Sequence, residues 1–135
     1  MKKPLYGYIG MTADFLHIGH INAINQCKEH CQRVIIGIMT DDCVKSYKGK
    51  KPITPQEDRD RLIKQLRTVY KTMFQDSFEF PHYVLRLKEN YGSDFVIFDT
   101  EEHSRQYVDI LIKLTPSISS TRIKVENPNL SQLPL

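Results

Sequence analysis

Arg33-Val34-Ile35-Ile36-Gly37-Ile38-Met39-Thr40 carries β-branched and apolar side chains on consecutive rather than alternate positions. A strand with one face in water would alternate, so this one is expected inside a parallel sheet covered on both sides. Upstream, Leu5 to Gly10 reads as a shorter apolar strand. From Ile18 the period changes, and Ile21, Ile24, Cys27 and Cys31 fall on one helical stripe. A strand, a turn, a helix and a buried strand together form the opening of a right-handed crossover.

Downstream, Asp41 to Ile53 is a polar, lysine-rich connection. Thr54-Pro55-Gln56-Glu57 then has the form of a capping box with proline at the first helical position, so a helix should start there. Its apolar face is read as Leu62, Ile63, Leu66, Val69 and Tyr70. A short strand around Thr72 to Phe74 follows, then a helix from Pro81 to Tyr91 closed by Gly92, and a strand from Asp94 to Asp99. Residues near Glu101 to Gln106 read as a short helical connection, Tyr107 to Leu114 as a fifth apolar strand, and Ser119-Ser120-Thr121 as the start of a last helix that cannot run far before Pro128. Strands and helices alternate throughout. That order predicts an α/β fold: a single-domain, Rossmann-like open parallel sheet of about five strands with helices on both faces, over residues 1–126, followed by a tail at 127–135.

Composition narrows the function classes. With 135 residues, 40% hydrophobic and 26% charged, the chain has the make-up of a globular domain large enough to bury one core. A net charge of +3 is too small to name a nucleic-acid partner. Three cysteines cannot supply a disulfide framework, no apolar run reaches the ~20 residues of a bilayer span, and no stretch reads as a signal peptide. A cytoplasmic protein with no membrane partner is the expectation. Cys27 and Cys31 are assigned to the core, and Cys43 reads as an exposed thiol.

In open α/β sheets ligands bind at the carboxyl ends of the strands, where the strand order reverses. The unusual residues of this chain lie in those turns. Met11-Thr12-Ala13-Asp14-Phe15-Leu16-His17-Ile18-Gly19-His20 leads from the first strand into the first helix, placing two histidines three apart at a helix N-terminus that favours an anion. Gly19 between them lets a phosphate approach the backbone. The pair reads as a phosphate clamp donating to charge that builds in a transition state, against the alternatives of a His-Xaa-Xaa-His metal site or two incidental histidines. Ile118-Ser119-Ser120-Thr121-Arg122-Ile123-Lys124 adds three hydroxyls and a basic residue, suited to polyphosphate oxygens.

At about 100° per residue, Arg59 projects within roughly 20° of the centre of the apolar stripe of its helix, whereas Arg61 points to solvent. Arg59 therefore either reaches over the sheet edge or pairs with a buried anion, such as a ligand phosphate. Lys45-Ser46-Tyr47-Lys48-Gly49-Lys50-Lys51 reads either as a mobile lid over a triphosphate or as a solvated loop. Asp99, Glu101, Glu102 and His103 follow the fourth strand at the same rim, where a polar turn is the simpler account and a substrate contact the alternative.

These pieces resemble the nucleotidylyltransferase superfamily, in particular the cytidylyltransferases of the glycerol-3-phosphate and phosphocholine type. His17-Ile18-Gly19-His20 is similar to the family's HxGH, and Ile118 to Lys124 to its ISSTxxK, about a hundred residues later in both. Gly10-Met11-Thr12-Ala13-Asp14, His20-Ile21-Asn22 and Ser46-Tyr47-Lys48 are similar to cytidylyltransferase domains of phosphonate pathways. The resemblance implies that His17, His20 and Lys48 are catalytic, and that Thr12, Ala13, Asp14, Gly19, Lys50, Arg59, Ser119, Ser120 and Thr121 bind the nucleotide. It points to Arg67, Asp99 and Lys113 on the substrate side.

It also implies CTP and a small phosphorylated or phosphonylated alcohol as substrates, Mg²⁺ carried with CTP, no protein metal site, no nucleic acid, and a homodimer. The chain departs from the pattern in three places. Met11 and Ala13 replace glycine and phenylalanine before Asp14, Phe98-Asp99-Thr100-Glu101 replaces Gly-Asp-Asp-Trp, and Leu114 stands where a phosphate-binding arginine is usual. The expected function is therefore CMP transfer from CTP with release of pyrophosphate. Adenylyl transfer from ATP and a non-catalytic nucleotide- or nucleic-acid-binding module are the alternatives.

Overall fold

Val34, Ile36 and Ile38 pack into one core and Ile35 into another, the two-sided burial that the consecutive apolar run requires. The computed structural model describes residues 2–100 and 107–113. Five parallel strands, β1 (Tyr6–Met11), β2 (Arg33–Met39), β3 (Val69–Gln75), β4 (Phe95–Thr100) and β5 (Ile110–Ile112), lie in the order β3-β2-β1-β4-β5. Four helices connect them: α1 (Ile18–His30), α2 (Asp41–Lys48), α3 (Gln56–Lys64) and α4 (His82–Tyr91).

Ile24 and Cys27 of α1 and Ile63 of α3 join Ile9, Val34, Ile36, Ile38 and Phe98 on one sheet face. Val84 of α4, with Phe80, covers Tyr8, Ile35, Phe95 and Ile97 on the other. The chain winds outward from β1 to β3 and then returns across the sheet to β4, so the strand order reverses beside β1. The crevice of such a fold opens at the carboxyl ends of β1 and β4. This is the Rossmann-like sheet that the alternation predicts. Among the described residues no helix is long and apolar enough to cross a membrane.

One buried polar pair shapes the sheet from within. Tyr8 Oη donates to Gln75 Oε1 at 2.6 Å, and both residues are fully buried. Gly10 and Gly37, opposite each other on β1 and β2, leave the space for that bond, since a Cβ on Gly37 would lie 1.8 Å from Tyr8 Oη and one on Gly10 2.5 Å from Gln75 Oε1.

Four local expectations are corrected. Asp41 to Lys48 is a helix rather than part of an irregular connection. Thr40 Oγ1 caps Cys43 N at 3.2 Å, Asp41 and Asp42 occupy the first turn, and Gly49 ends the helix with φ of 86°. This helix also buries Cys43 against Met39 and Val44, so its thiol is not exposed.

Thr54 does not form a capping box. The N-cap of α3 is Pro55, with no side-chain cap bond, and the backbone of Thr54 is committed to Asp14 and Arg59 instead. The apolar stripe of α3 also shrinks. The helix ends at Lys64, Leu62 is 48% exposed, and Val69 and Tyr70 already belong to β3. A periodicity drawn through residue 70 assumed helix over 65–70, where 65–68 turn the chain and 69–70 are already strand. The expected connection at 101–106, Leu114, the last helix and the tail lie outside the described residues.

Candidate functional site

The two histidines of the first turn bond to each other's backbone. His17 is the N-cap of α1, and its Nδ1 accepts from Gly19 N at 3.0 Å; His20 Nδ1 accepts from His17 N at 3.1 Å, completing a reciprocal capping box. Imidazole in place of the usual hydroxyl and carboxylate has a chemical consequence. With each Nδ1 acting as acceptor, the ring proton of each neutral histidine sits on Nε2. The rings lie 4.1 Å apart, tilted by 38°.

Burial favours the neutral form of both rings. Desolvation, followed by the neighbouring His17 and opposed by Asp14, lowers the pKa of His20 from 6.5 to about 4, and desolvation lowers that of His17. His17 Nε2 is buried and has no hydrogen-bond partner among the described residues. A buried donor without an acceptor is costly in a folded chain, and a ligand anion would relieve that cost.

The turn that carries the pair is strained and tied down. Ala13 and Phe15 have φ of 56° and 57°, left-handed values unusual for residues with a Cβ. Between them Asp14, 5% exposed, accepts from Ile53 N and Thr54 N, each at 3.1 Å. Arg59, with no exposure, donates from Nη1 to Thr12 O and Met39 O (both 2.7 Å), from Nε to Thr54 O (2.9 Å) and from Nη2 to Asp41 Oδ1 (2.7 Å). Gln56 completes the knot, its Oε1 accepting from Asp41 N at 2.8 Å.

Of the two alternatives for Arg59, a protein anion is present: the partly exposed carboxylate of Asp41. Arg59 thus holds the turn by Thr12 O, and Asp14 ties it to the backbone of Ile53 and Thr54. Gly19 sits on the helix N-terminus beside the histidines.

The end of α2 reaches the same turn. Tyr47 Oη lies 3.2 Å from Thr12 Oγ1 and 3.3 Å from Met39 Sδ, and its ring packs against Phe78 at a tilt of 50° with centroids 4.7 Å apart. Lys48 closes α2, Lys50 follows Gly49, and both are exposed. Among the described residues, Thr12, Ala13, Asp14, His17, Gly19 and His20 are therefore brought together in one turn, with Arg59 beneath it and α2 beside it.

The other site expectations lie on separate elements. Arg67 is exposed in the turn between α3 and β3, and Arg61 is 80% exposed, as expected of a surface residue. Asp99 is buried at the end of β4, its Oδ1 accepting from Thr100 N. Lys113 is exposed, and the side-chain amide of Gln26 on α1 bonds both its N–H and its C=O. Ser119, Ser120 and Thr121 lie outside the described residues. Asp41, Gln56 and Tyr47 are assigned no contact of their own by the sequence, although Tyr47 lies in the candidate lid and Gln56 in the expected capping segment, because in polar stretches they carry no period that marks them.

Residues 8–113 match the family model described as cytidylyltransferase-like. Over 68 residues the chain is 34% identical to the FAD synthase of Thermococcus kodakarensis, covering 50% of this chain and 46% of the synthase. Over 97 residues it is 25% identical to the ethanolamine-phosphate cytidylyltransferase of Arabidopsis thaliana, covering 71% of this chain and 23% of that protein. The matched stretches thus span less than half the length of these curated relatives. The fold resembles the crystal structure of the lipopolysaccharide core biosynthesis protein from Thermoplasma volcanium GSS1, with a TM-score of 0.60 at 16% identity over 93% of this chain and 88% of that one. At that identity the likeness is one of fold.

Proposed function

Because the chain belongs to the cytidylyltransferase-like family, we propose that this nucleotidyltransferase joins CMP from CTP to a small phosphorylated or phosphonylated alcohol and releases pyrophosphate. The observation that carries the reading is the buried Nε2 of His17, without a hydrogen-bond partner among the described residues and held as a donor beside His20 at the N-terminus of α1. An acceptor oxygen of the phosphate or phosphonate attacks the α-phosphorus in line. The bond from that phosphorus to the bridging oxygen breaks, and pyrophosphate departs with the electron pair. No covalent enzyme intermediate is needed, so acceleration comes from positioning and from donors aimed at the developing charge.

The neutral imidazoles supply such donors without giving up a proton, and Lys48 adds a mobile positive charge. Mg²⁺ bound with the triphosphate would neutralise phosphate charge. The described residues hold no cluster of three His, Cys, Asp or Glu side chains, so its ligands would come chiefly from phosphate oxygens and water. A homodimer is part of the same proposal, to be checked by sedimentation.

The similarity to FAD synthases supports a second reading, adenylyl transfer from ATP. Both are tested by a pyrophosphate-release screen pairing CTP and ATP with phosphoethanolamine, phosphocholine, glycerol-3-phosphate, 2-hydroxyethylphosphonate and flavin mononucleotide. Turnover with CTP and one of the alcohol derivatives is the expected result. Turnover with ATP alone overturns the cytidylyl reading and leaves nucleotidyl transfer standing.

A further inference from the structure

Tyr47 stands at a junction that the capping histidines and the buried Arg59 do not explain. Its hydroxyl lies within 3.2 Å of Thr12 Oγ1 and 3.3 Å of Met39 Sδ, while Thr12 Oγ1 is 3.9 Å from the same sulfur. Three elements meet here: the turn after β1, the end of β2 and the last turn of α2. The ring of Tyr47 is braced by Phe78, and Lys48 is the next residue along the chain. Thioether sulfur accepts hydrogen bonds only weakly, so it competes poorly with a hydroxyl oxygen for the tyrosine proton. A threonine hydroxyl has one hydrogen and can accept two. When Tyr47 donates to Thr12 Oγ1, the threonine hydrogen has the weakly accepting sulfur of Met39, 3.9 Å away, as its partner and can turn from it to a stronger acceptor such as an anion at the adjacent helix N-terminus.

We propose that Tyr47 is a positioning residue for the nucleotide: its hydroxyl orients the Thr12 proton toward the phosphates and latches the end of α2, with Lys48, over the turn that carries His17 and His20. The proposal rests on the nucleotidyl-transfer reading of this site. Tyr47 is partly exposed and Thr12 half-buried, so neither hydroxyl is needed to fill the core. Removing it loosens a preorganised site rather than the fold, and the loss falls on nucleotide binding.

The test compares Tyr47→Phe, Thr12→Val, Thr12→Ser and the Tyr47→Phe/Thr12→Val double variant. Each is measured for binding of Mg-CTP and Mg-ATP by calorimetry, for KM and kcat in the pyrophosphate assay, and for Tm. One net hydrogen bond corresponds to roughly a threefold to tenfold change in affinity. Tyr47→Phe and Thr12→Val should each weaken nucleotide binding and raise its KM by about that factor, with kcat changed less and Tm held. The double variant should be no worse than Thr12→Val alone, because the two hydroxyls act as one unit. Thr12→Ser should restore binding.

Unaltered binding in Tyr47→Phe, or additive losses in the double variant, overturns the latch while wild-type nucleotide binding keeps the functional reading intact. A Tyr47→Phe variant whose only change is a fall in Tm also overturns it, giving the tyrosine a structural role. Wild-type protein that binds neither nucleotide overturns the functional reading and the latch together.

Discussion

Arg59 and Asp41 form an ion pair of 2.7 Å in which the guanidinium has no solvent exposure and the carboxylate is 24% exposed. Eighteen residues apart in sequence, they tie the first turn of α2 to the body of α3, and through Thr12 O the same guanidinium holds the strained turn beneath His17. Removing one partner of such a pair typically costs about 3 kcal/mol or more, because charge and carbonyl oxygens are left without donors. Arg59→Ala should therefore lower the unfolding free energy by about that amount, and its effect on nucleotide affinity should pass through a loosened turn. Denaturant titration with an unchanged m-value is the measurement. A stability close to wild type would mean that the carbonyls of Thr12, Met39 and Thr54 find other donors.

The reciprocal cap separates two jobs of each histidine, one performed by each ring nitrogen. Asparagine places an acceptor oxygen near the Nδ1 position and nothing at Nε2, so His17→Asn should keep the cap and remove the donor. Loss of one donor aimed at a developing oxyanion costs about a hundredfold in rate. His17→Asn should show that loss with wild-type stability, whereas His17→Ala should show it with an added loss of about 1 kcal/mol from the missing cap. Steady-state kinetics beside thermal melts decide it. Turnover within a few-fold of wild type in both variants would remove His17 from the chemistry.

The depressed pKa of His20 sets a direction for stability against pH. Its folded value, about 4, lies below the unfolded value of 6.5, so between them the unfolded chain binds more protons and stability rises with pH. The contribution is fully present above about pH 6.5 and lost as pH falls toward 4. Its size is on the order of 3 kcal/mol for a shift of this extent. Protonation would also place a hydrogen on Nδ1, breaking its bond from His17 N. Denaturation midpoints across pH 4–7 should show this slope, and His20→Asn should flatten it; parallel slopes in the two proteins would assign the acid sensitivity elsewhere.

Much of this architecture was legible because it follows from local periodicity. The unbroken apolar run of β2 fixed burial on both sheet faces, and the two histidines at the start of α1 marked the rim that carries the site. What escaped the sequence depends on distant partners. Thr54 reads as a cap, yet Asp14, forty residues upstream, takes its N–H. Asp41 to Lys48 reads as loop because its lysines suggest solvent, although Thr40 and Gly49 bracket a helix at both ends. The left-handed backbone at Ala13 and Phe15 gives no sign in residue type, since glycine is the usual marker of such a turn. Arg59 was legible as buried, but the identity of its anion was not, because Asp41 meets it only through the tertiary fold.

Lys48 and Arg61 are both exposed basic residues near helix ends, and the site reading separates them. Lys48 closes α2 next to Tyr47, whose hydroxyl touches Thr12, whereas Arg61 pairs with Asp58 on its own helix, at 3.9 Å. Lys48→Ala should raise the nucleotide KM severalfold at low salt, and Arg61→Ala should leave both kinetic constants unchanged. The Lys48 effect should shrink as ionic strength rises, as expected of an exposed charge attracting a polyanion. Equal behaviour of the two variants in a salt series would show that α2 does not face the nucleotide.

The last prediction concerns the floor of the sheet rather than its rim. A methyl group on Gly37 would lie 1.8 Å from Tyr8 Oη and 2.5 Å from Tyr8 Cζ, while at Gly49 it would meet nothing within 4 Å and suffer only from the positive φ of 86°. Gly49→Ala should therefore cost about 1 kcal/mol, the ordinary penalty for a side chain in left-handed backbone. Gly37→Ala must displace the tyrosine and break its 2.6 Å bond to Gln75, adding a buried amide oxygen deprived of that donor to the overpacking. Its cost should exceed that of Gly49→Ala by about 2 kcal/mol or more in chemical denaturation. Combining Gly37→Ala with Tyr8→Phe, which removes the clashing oxygen, should recover part of the loss. No recovery in that double variant would show that the clash is with the ring and the backbone rather than with the hydroxyl.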